Sequence, residues 1–386
     1  MNFMGYRRPD GRAGVRNHVL ILPTCACASE TCRMVACQVD GAVNFINNAG
    51  CAEVKGNEEL TQKILLGSAL NPNIYGTVII GLGCENVGHR ELAEKVRSAT
   101  GRPVISFGIQ EEGGTVATIG KAVGSARKLA QEASQQLREP CSISELMLGI
   151  ECGGSDATSG IAANPAVGLV SDRLVDMGAS SMMSETIEFI GAEHVLAARG
   201  ATTEVKRRII EICRDYENHL AAAGQDCRYG QPTPGNKAGG LSTLEEKSLG
   251  CIHKGGTRPI VEVVAEGERP SKQGAIIMDS PGYDIASVTA MVAGGCQLIA
   301  FTTGRGTPTG NPIAPVIKIT GNSQTFHKMN DNMDFDASGP ISGVCSLEYT
   351  AEDLFENVLR VASGMKTKDE IYGFSDIAID RVCRYI

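Results

Sequence analysis

The sequence predicts an α/β protein of two Rossmann-like domains, each built around a largely parallel sheet. Short apolar runs, HVLILP, TVIIGL, PVISFG, LMLGIE, AIIMD, QLIAFTT and PVIKIT, read as strands, and segments such as HRELAEKVRSAT and IGKAVGSARKLAQEASQQL repeat apolar residues at helical spacing. The runs are continuous rather than alternating, as in strands covered on both faces. At 386 residues, 42% hydrophobic and 21% charged, the chain has an ordinary globular composition and is long enough for two or three full cores.

Taken in order, RPDGR (8–12) has the Pro-Asp-Gly order of a turn, and HVLILP then opens the first parallel strand. LREPCSISE (137–145) mixes Pro with polar residues after a long helical pattern, which places a boundary there: an N-terminal α/β domain over 1–138 and a C-terminal α/β catalytic domain over 139–386. The Gly- and Pro-rich stretch YGQPTPGNKAGGLSTLEEKSLG is too long for a plain connection and is expected to be an active-site loop.

The net charge of -8 argues against nucleic acid as a partner, because phosphate binding needs a basic surface, but leaves room for a small anionic substrate held by local cations. The polar N-terminus lacks a signal-peptide core and no apolar run approaches a membrane span, so a cytoplasmic protein is expected, with no membrane association. Its 14 cysteines are then expected to be reduced, with Cys37, Cys141, Cys213, Cys296, Cys345 and Cys383 as buried apolar thiols. Cys25, Cys27, Cys32, Cys84 and Cys152 stand apart, in or beside turns.

In an open α/β sheet ligands bind beyond the carboxyl ends of the strands, so the residues that follow the apolar runs are the candidates. They are Cys27 after LILPT, Cys84 and Glu85 after VIIGLG, Cys152 through Asp156 after LGIE, Ser184, Glu185 and Glu188 in SSMMSETIEF, the stretch 279–284 in DSPGYD, and Arg305 in FTTGRGTPTGNP. None has the context of a dinucleotide fingerprint or the Lys-Ser/Thr end of a P-loop, so a nucleotide cofactor is not indicated. Thiolates from three strand ends suit iron, with Cys25 and Cys32 competing with Cys27 for the first position.

These same segments, GYRRPDGRAGVRNHVLILPT, GLGCEN, ECGGSDATSGIAANPAVG, SETIEFIGAE, GGLSTLEEKSLG, KGGTRPI, MDSPGYD and FTTGRGTPTGNPIAPVIKITGN, resemble the altronate and galactarate dehydratase family over nearly the whole chain. The resemblance implies an iron-dependent lyase acting on a sugar acid such as altronate or galactarate, with the beta subunit of (2R)-sulfolactate sulfo-lyase as a further relative. It also implies the large subunit of a split enzyme: a separate small SAF-type subunit would complete it, and the large subunit would self-associate as a homo-oligomer. PTCAC stands where family members read more like PTVGC, which favours Cys27, with Cys84 and Cys152, as the ligands and leaves Cys25 as an extra thiol. The iron would be Fe2+ or an iron-sulfur cluster.

Such a reaction removes the proton at C2 of a 2-hydroxy acid and expels the C3 substituent, so it needs a base, positive charge near the carboxylate and help for the leaving group. Glu185, Glu188, His18, His253 and Lys254 are the candidates for the base; Glu185 and Glu188 share a face if a helix starts at SETIEF, with Ser184 as its cap. Arg305 is the first choice for the substrate carboxylate, followed by Arg16 and Lys254, and Ser155 and Asp156 are further substrate-binding candidates. A non-catalytic scaffold and a thiol enzyme using Cys84 or Cys152 are the competing readings.

Overall fold

The structure, a computed structural model, describes residues 1–381. Among these, the strands form three sheets. The smaller unit holds four parallel strands in the order Ala42–Asn44, His18–Pro23, Ile74–Gly81, Val104–Gly108. The larger holds seven parallel strands in the order Ile260–Val264, Ala275–Met278, Ser180–Met183, Met147–Cys152, Leu298–Thr302, Val316–Thr320, Phe335–Asp336. All seven apolar runs named above are strands, and His89–Thr100 and Thr115–Ser134 are helices. Cys383 lies outside the described residues.

The period of two along His18–Pro23 explains how the units join. Val19 and Ile21 face a core with the helices Ala26–Ala36 and Thr115–Ser134, whereas Leu20 and Leu22 face a second core that continues into Met278, Met291, Ile299 and Phe301 of the larger unit. Residues from both sheets therefore share one apolar core. The antiparallel strands Asn2–Arg7, Ala13–Gly14 and Glu139–Ser142 make a third sheet, closed by the RPDGR turn. Its Phe3 and Ala13, with Val15 just beyond it, join the core of the larger unit, so the first residues of the chain pack with the second half.

Two buried asparagines fasten the units together. Asn71 Nδ2 donates to the carbonyls of Val292 (2.8 Å) and Cys296 (2.9 Å), and Asn73 Nδ2 to those of Gln297 (2.8 Å) and Ile313 (3.0 Å). Asn73 Oδ1 accepts from the backbone N–H groups of Val15 and Arg16. Among the described residues no helix is long and apolar enough to cross a membrane.

Asn73→Ala leaves four buried backbone groups without partners, each costing roughly 1–3 kcal/mol if water cannot reach it. A loss of about 3 kcal/mol or more in urea unfolding is expected, and a loss below about 1 kcal/mol would show that the clamp is dispensable.

Candidate functional site

The strand Met147–Cys152 lies at the centre of the larger sheet, between Ser180–Met183 and Leu298–Thr302. Its last two residues, Glu151 and Cys152, point to opposite faces because side chains alternate along a strand. Each enters a different group of metal-capable side chains whose donor atoms lie within 4.8 Å of one another: Cys152, Glu188 and Cys251 in one, Glu151, Glu185 and Asp284 in the other.

The thiol-containing group is supplied with cations. Lys254, 0% exposed, places Nζ 2.6 Å from Glu188 Oε2, and Lys247 Nζ lies 3.3 Å from Oε1. Burial opposes ionisation of Glu188, but the two ammonium groups hold its carboxyl down at about 2. Burial likewise opposes charge on Lys254, yet Cys251 and Glu188 hold its ammonium well above the ordinary lysine value. The Cys251 thiol has two acceptors in reach, Glu188 Oε2 at 2.6 Å and the Cys152 sulfur. Hydrogen bonding from Cys251 lowers the Cys152 pKa, and Ser155 Oγ stands 2.9 Å from its sulfur.

Among the described residues the carboxylate group has no ion pair of its own and feels only the more distant charges of Lys247 and Lys254. Ser287 and Ser184 hydrogen-bond Glu151 Oε2, but among the described residues no lysine or arginine reaches ion-pair distance of Glu151, Glu185 or Asp284. Burial, then the neighbouring carboxylates, push Glu185 well above the ordinary range and Asp284 up to about 7. Glu185 Oε2 is buried without a hydrogen-bond partner. The Glu185 backbone sits at φ 69°, ψ 79°, a left-handed conformation costly for a side chain of this size, and its N–H donates to Ser280 Oγ at 2.9 Å. Gly153 permits the approach of Asp284: a Cβ there would fall 1.9 Å from Asp284 Oδ2.

A cavity of 290 Å³, lined by Cys251, Lys247, His253, Ser155 and Asn164, borders the thiol-containing group. The Gly- and Pro-rich stretch folds into short helices, Pro234–Ala238 and Leu244–Cys251, and supplies Lys247 and Cys251 to the cavity wall. A second cavity of 540 Å³ contains Arg305 and shares Asp156 and Ala157 with the first.

Of the residues singled out in the sequence, the fold brings Cys152, Glu185, Glu188, Lys254 and Ser155 together, with His253 exposed on the cavity beside them. SETIEF forms only a 3-10 turn over Thr186–Glu188. Ser184 is therefore no helix cap, and Glu185 and Glu188 enter different donor groups instead of sharing a helix face.

Cys27 and Cys84 are exposed at strand ends of the smaller unit, and neither belongs to a compact donor group with Cys152. Glu85 turns its carboxylate back on its own loop, accepting from Thr24 Oγ1 at 2.7 Å and Gly83 N–H at 2.6 Å. His18 and Arg16 lie at the opposite, amino end of their strand. Burial holds the His18 pKa down at about 4, and Arg16 forks onto Glu370 at 2.5 and 2.7 Å. Asp156 uses both oxygens within the fold, accepting from Thr158 N–H and from Asn322 Nδ2.

Glu151, Lys247 and Cys251 were given no role from the sequence, and Asp284 only a place in a strand-end stretch. The signal for Cys251 is its position three residues before Lys254, one helical turn away. Of the thiols expected to be buried, Cys141, Cys213 and Cys296 are so, whereas Cys37 is exposed and Cys345 half-buried.

Comparison with known proteins gives two family matches: the D-galactarate/altronate dehydratase C-terminal domain over residues 143–384 and the D-galactarate dehydratase/altronate hydrolase second domain over 5–134. The chain is 34% identical to altronate dehydratase of Bacillus subtilis over 98% of its own length and 77% of that protein. It is 37% identical to (2R)-sulfolactate sulfo-lyase subunit beta of Chromohalobacter salexigens, over 98% of its own length and 97% of that chain. With galactarate dehydratase (L-threo-forming) of Escherichia coli the identity is 40% over 77% of this chain and 58% of that one.

Lys254→Met strands the buried Glu188 carboxylate with Lys247 alone, and removing one partner of such a pair costs on the order of 3 kcal/mol. Adding Glu188→Gln to Lys254→Met is expected to restore part of that loss, measured by urea unfolding of both single variants and the double. Strict additivity would show that the two side chains are not coupled.

Proposed function

The chain belongs to the D-galactarate/altronate dehydratase family, and we propose that it is the large subunit of a lyase that takes the C2 proton and the C3 leaving group from a small anionic 2-hydroxy acid. A sugar acid of the altronate or galactarate kind is the favoured substrate class. The observation that carries this reading is the pairing, at one strand end, of a lysine-compensated thiol and carboxylate group with a carboxylate group that has no ion pair among the described residues. A scaffold would gain nothing from two buried carboxylates and a half-buried third set against one another, an arrangement that costs several kcal/mol unless something neutralises them.

We assign iron, in its divalent form, to Glu151, Glu185 and Asp284. Three oxygen donors suit a hard or borderline divalent ion, the unpartnered Glu185 Oε2 provides a ligand atom, and the missing ion-pair partner favours a cation there. The expected alternative, ligation by Cys27, Cys84 and Cys152, would require these strand ends to meet. When bound, the ion supplies Lewis acidity to an oxygen leaving group. The rest falls to the chain. Lys247, on the cavity wall, faces the substrate carboxylate and offsets the charge that grows there as C2 loses its proton. His253 opens onto the same cavity and is the candidate to take that proton. Glu188 holds Lys247, Lys254 and Cys251 in place.

Sulfite release from sulfolactate is the second reading, favoured by the near end-to-end match with a sulfo-lyase subunit beta. The subunit name of that relative supports a separate small subunit as a partner. The deciding experiment is turnover of altronate, galactarate and sulfolactate by the Fe2+-loaded chain, with and without a candidate small subunit. Keto-acid formation is expected in the assembled enzyme, and its absence with all three acids would overturn the proposal.

On metal analysis after gel filtration, Glu185→Gln and Asp284→Asn are expected to lose most bound iron, while Cys27→Ser and Cys84→Ser keep it. The reverse pattern would return the iron to the three cysteines.

A further inference from the structure

Resting on that location of the chemistry, we propose that the adjoining cavity is an anion subsite that takes the far end of a substrate charged at both ends, so that linear dicarboxylic sugar acids are favoured over monocarboxylic ones. The cavity, of 540 Å³, opens beyond the carboxyl ends of the strands Leu298–Thr302 and Val316–Thr320 and is lined by Arg305, Lys328, Asn322, Gln324 and Thr325. It shares the wall formed by Asp156 and Ala157 with the cavity holding Lys247, Cys251 and His253. In this proposal an extended acid lies past Asp156 and Ala157, with one carboxylate beside Lys247 and the other on the Arg305 side.

The charge balance identifies the ligand as an anion. Arg305 is exposed, and among the described residues its guanidinium makes one hydrogen bond, from Nη1 to the Gly235 carbonyl at 3.2 Å. Its other N–H groups are available for a planar, two-oxygen acceptor such as a carboxylate. Lys328 is also exposed and forms no ion pair or hydrogen bond through its side chain among the described residues. The one acidic side chain lining the cavity is Asp156, and it is already engaged. Oδ1 accepts from Thr158 N–H (2.9 Å), Thr158 Oγ1 (2.5 Å) and Ser159 N–H (3.2 Å), and Oδ2 from Asn322 Nδ2 (3.0 Å).

Position is fixed as well as charge. The backbone N–H groups of Gly304 and Arg305 both donate to the Gly154 carbonyl, at 3.2 and 3.0 Å, and Thr325 Oγ1 donates to the Gly304 carbonyl at 2.7 Å. The turn bearing Arg305 is thereby tied to the loop bearing Cys152 and Ser155, which sets a constant spacing between the two cavities. That spacing is the specificity device: a chain ending in a hydroxymethyl group leaves Arg305 and Lys328 unanswered.

Calorimetric titration of galactarate and of altronate into the metal-loaded protein, compared with Arg305→Ala and Lys328→Ala, tests this. Galactarate should bind the wild type at least about tenfold more tightly than altronate, the size expected of one charge-assisted contact. Arg305→Ala should abolish that preference while leaving altronate affinity within about twofold, and Lys328→Ala should reduce it in part. Equal affinity of the wild type for both acids, or a parallel loss for both in Arg305→Ala, would overturn the subsite. Turnover assayed after adding the candidate small subunit separates the two proposals: the binding preference without catalysis in the assembled enzyme would remove the lyase reading and leave the subsite in place.

Discussion

The contact between Lys254 and Glu188 organises everything at the carboxyl end of the larger sheet. An ammonium with no exposure needs an anion at hydrogen-bond distance, and Glu188 needs a cation to remain charged beside Cys152 and Cys251. The pair fastens the short helices of the loop between residues 227 and 255 to the turn after Ser180–Met183, and so carries Lys247, Cys251 and His253 to the cavity. Hydrophobic burial alone would leave that loop free to slide. A charge pair with one geometry does not.

One strand end thus serves two chemistries. Because Glu151 and Cys152 alternate, the sheet separates a region rich in positive charge and exchangeable protons from one in negative surplus. Glu185 bridges the two: its neighbour Glu188 lies with the lysines, whereas its own carboxyl lies with Glu151 and Asp284. Its left-handed backbone is the conformational cost of sending two carboxylates three residues apart in opposite directions.

The sequence revealed much of this architecture and less of the site. The continuous apolar runs identified the seven strands because burial on both faces leaves no other pattern, and the strand-end rule led to Cys152, Glu185 and Glu188. Ile260–Val264 was not named among the runs, since a glutamate interrupts IVEVV. Cys27 and Cys84 obey the strand-end rule equally well, but they follow strands of the other sheet, and sequence spacing does not tell which sheet a strand joins. His18 stood out beside Arg16 at the entrance of its strand, but that amino end lies away from the site, and Arg16 is absorbed there by Glu370. Cys251 could not be found by any strand rule, because a helix delivers it.

The asparagine clamp between the units bears on how the protein can move. Opening the two sheets like a hinged shell would break four side-chain hydrogen bonds to carbonyls of the larger unit and expose the core they share. Such a motion is far costlier than rearranging a few surface helices. The two sheets therefore keep a fixed spacing, and the pocket wall that carries Lys247 and Cys251 is held by Glu188 against a frame that does not hinge.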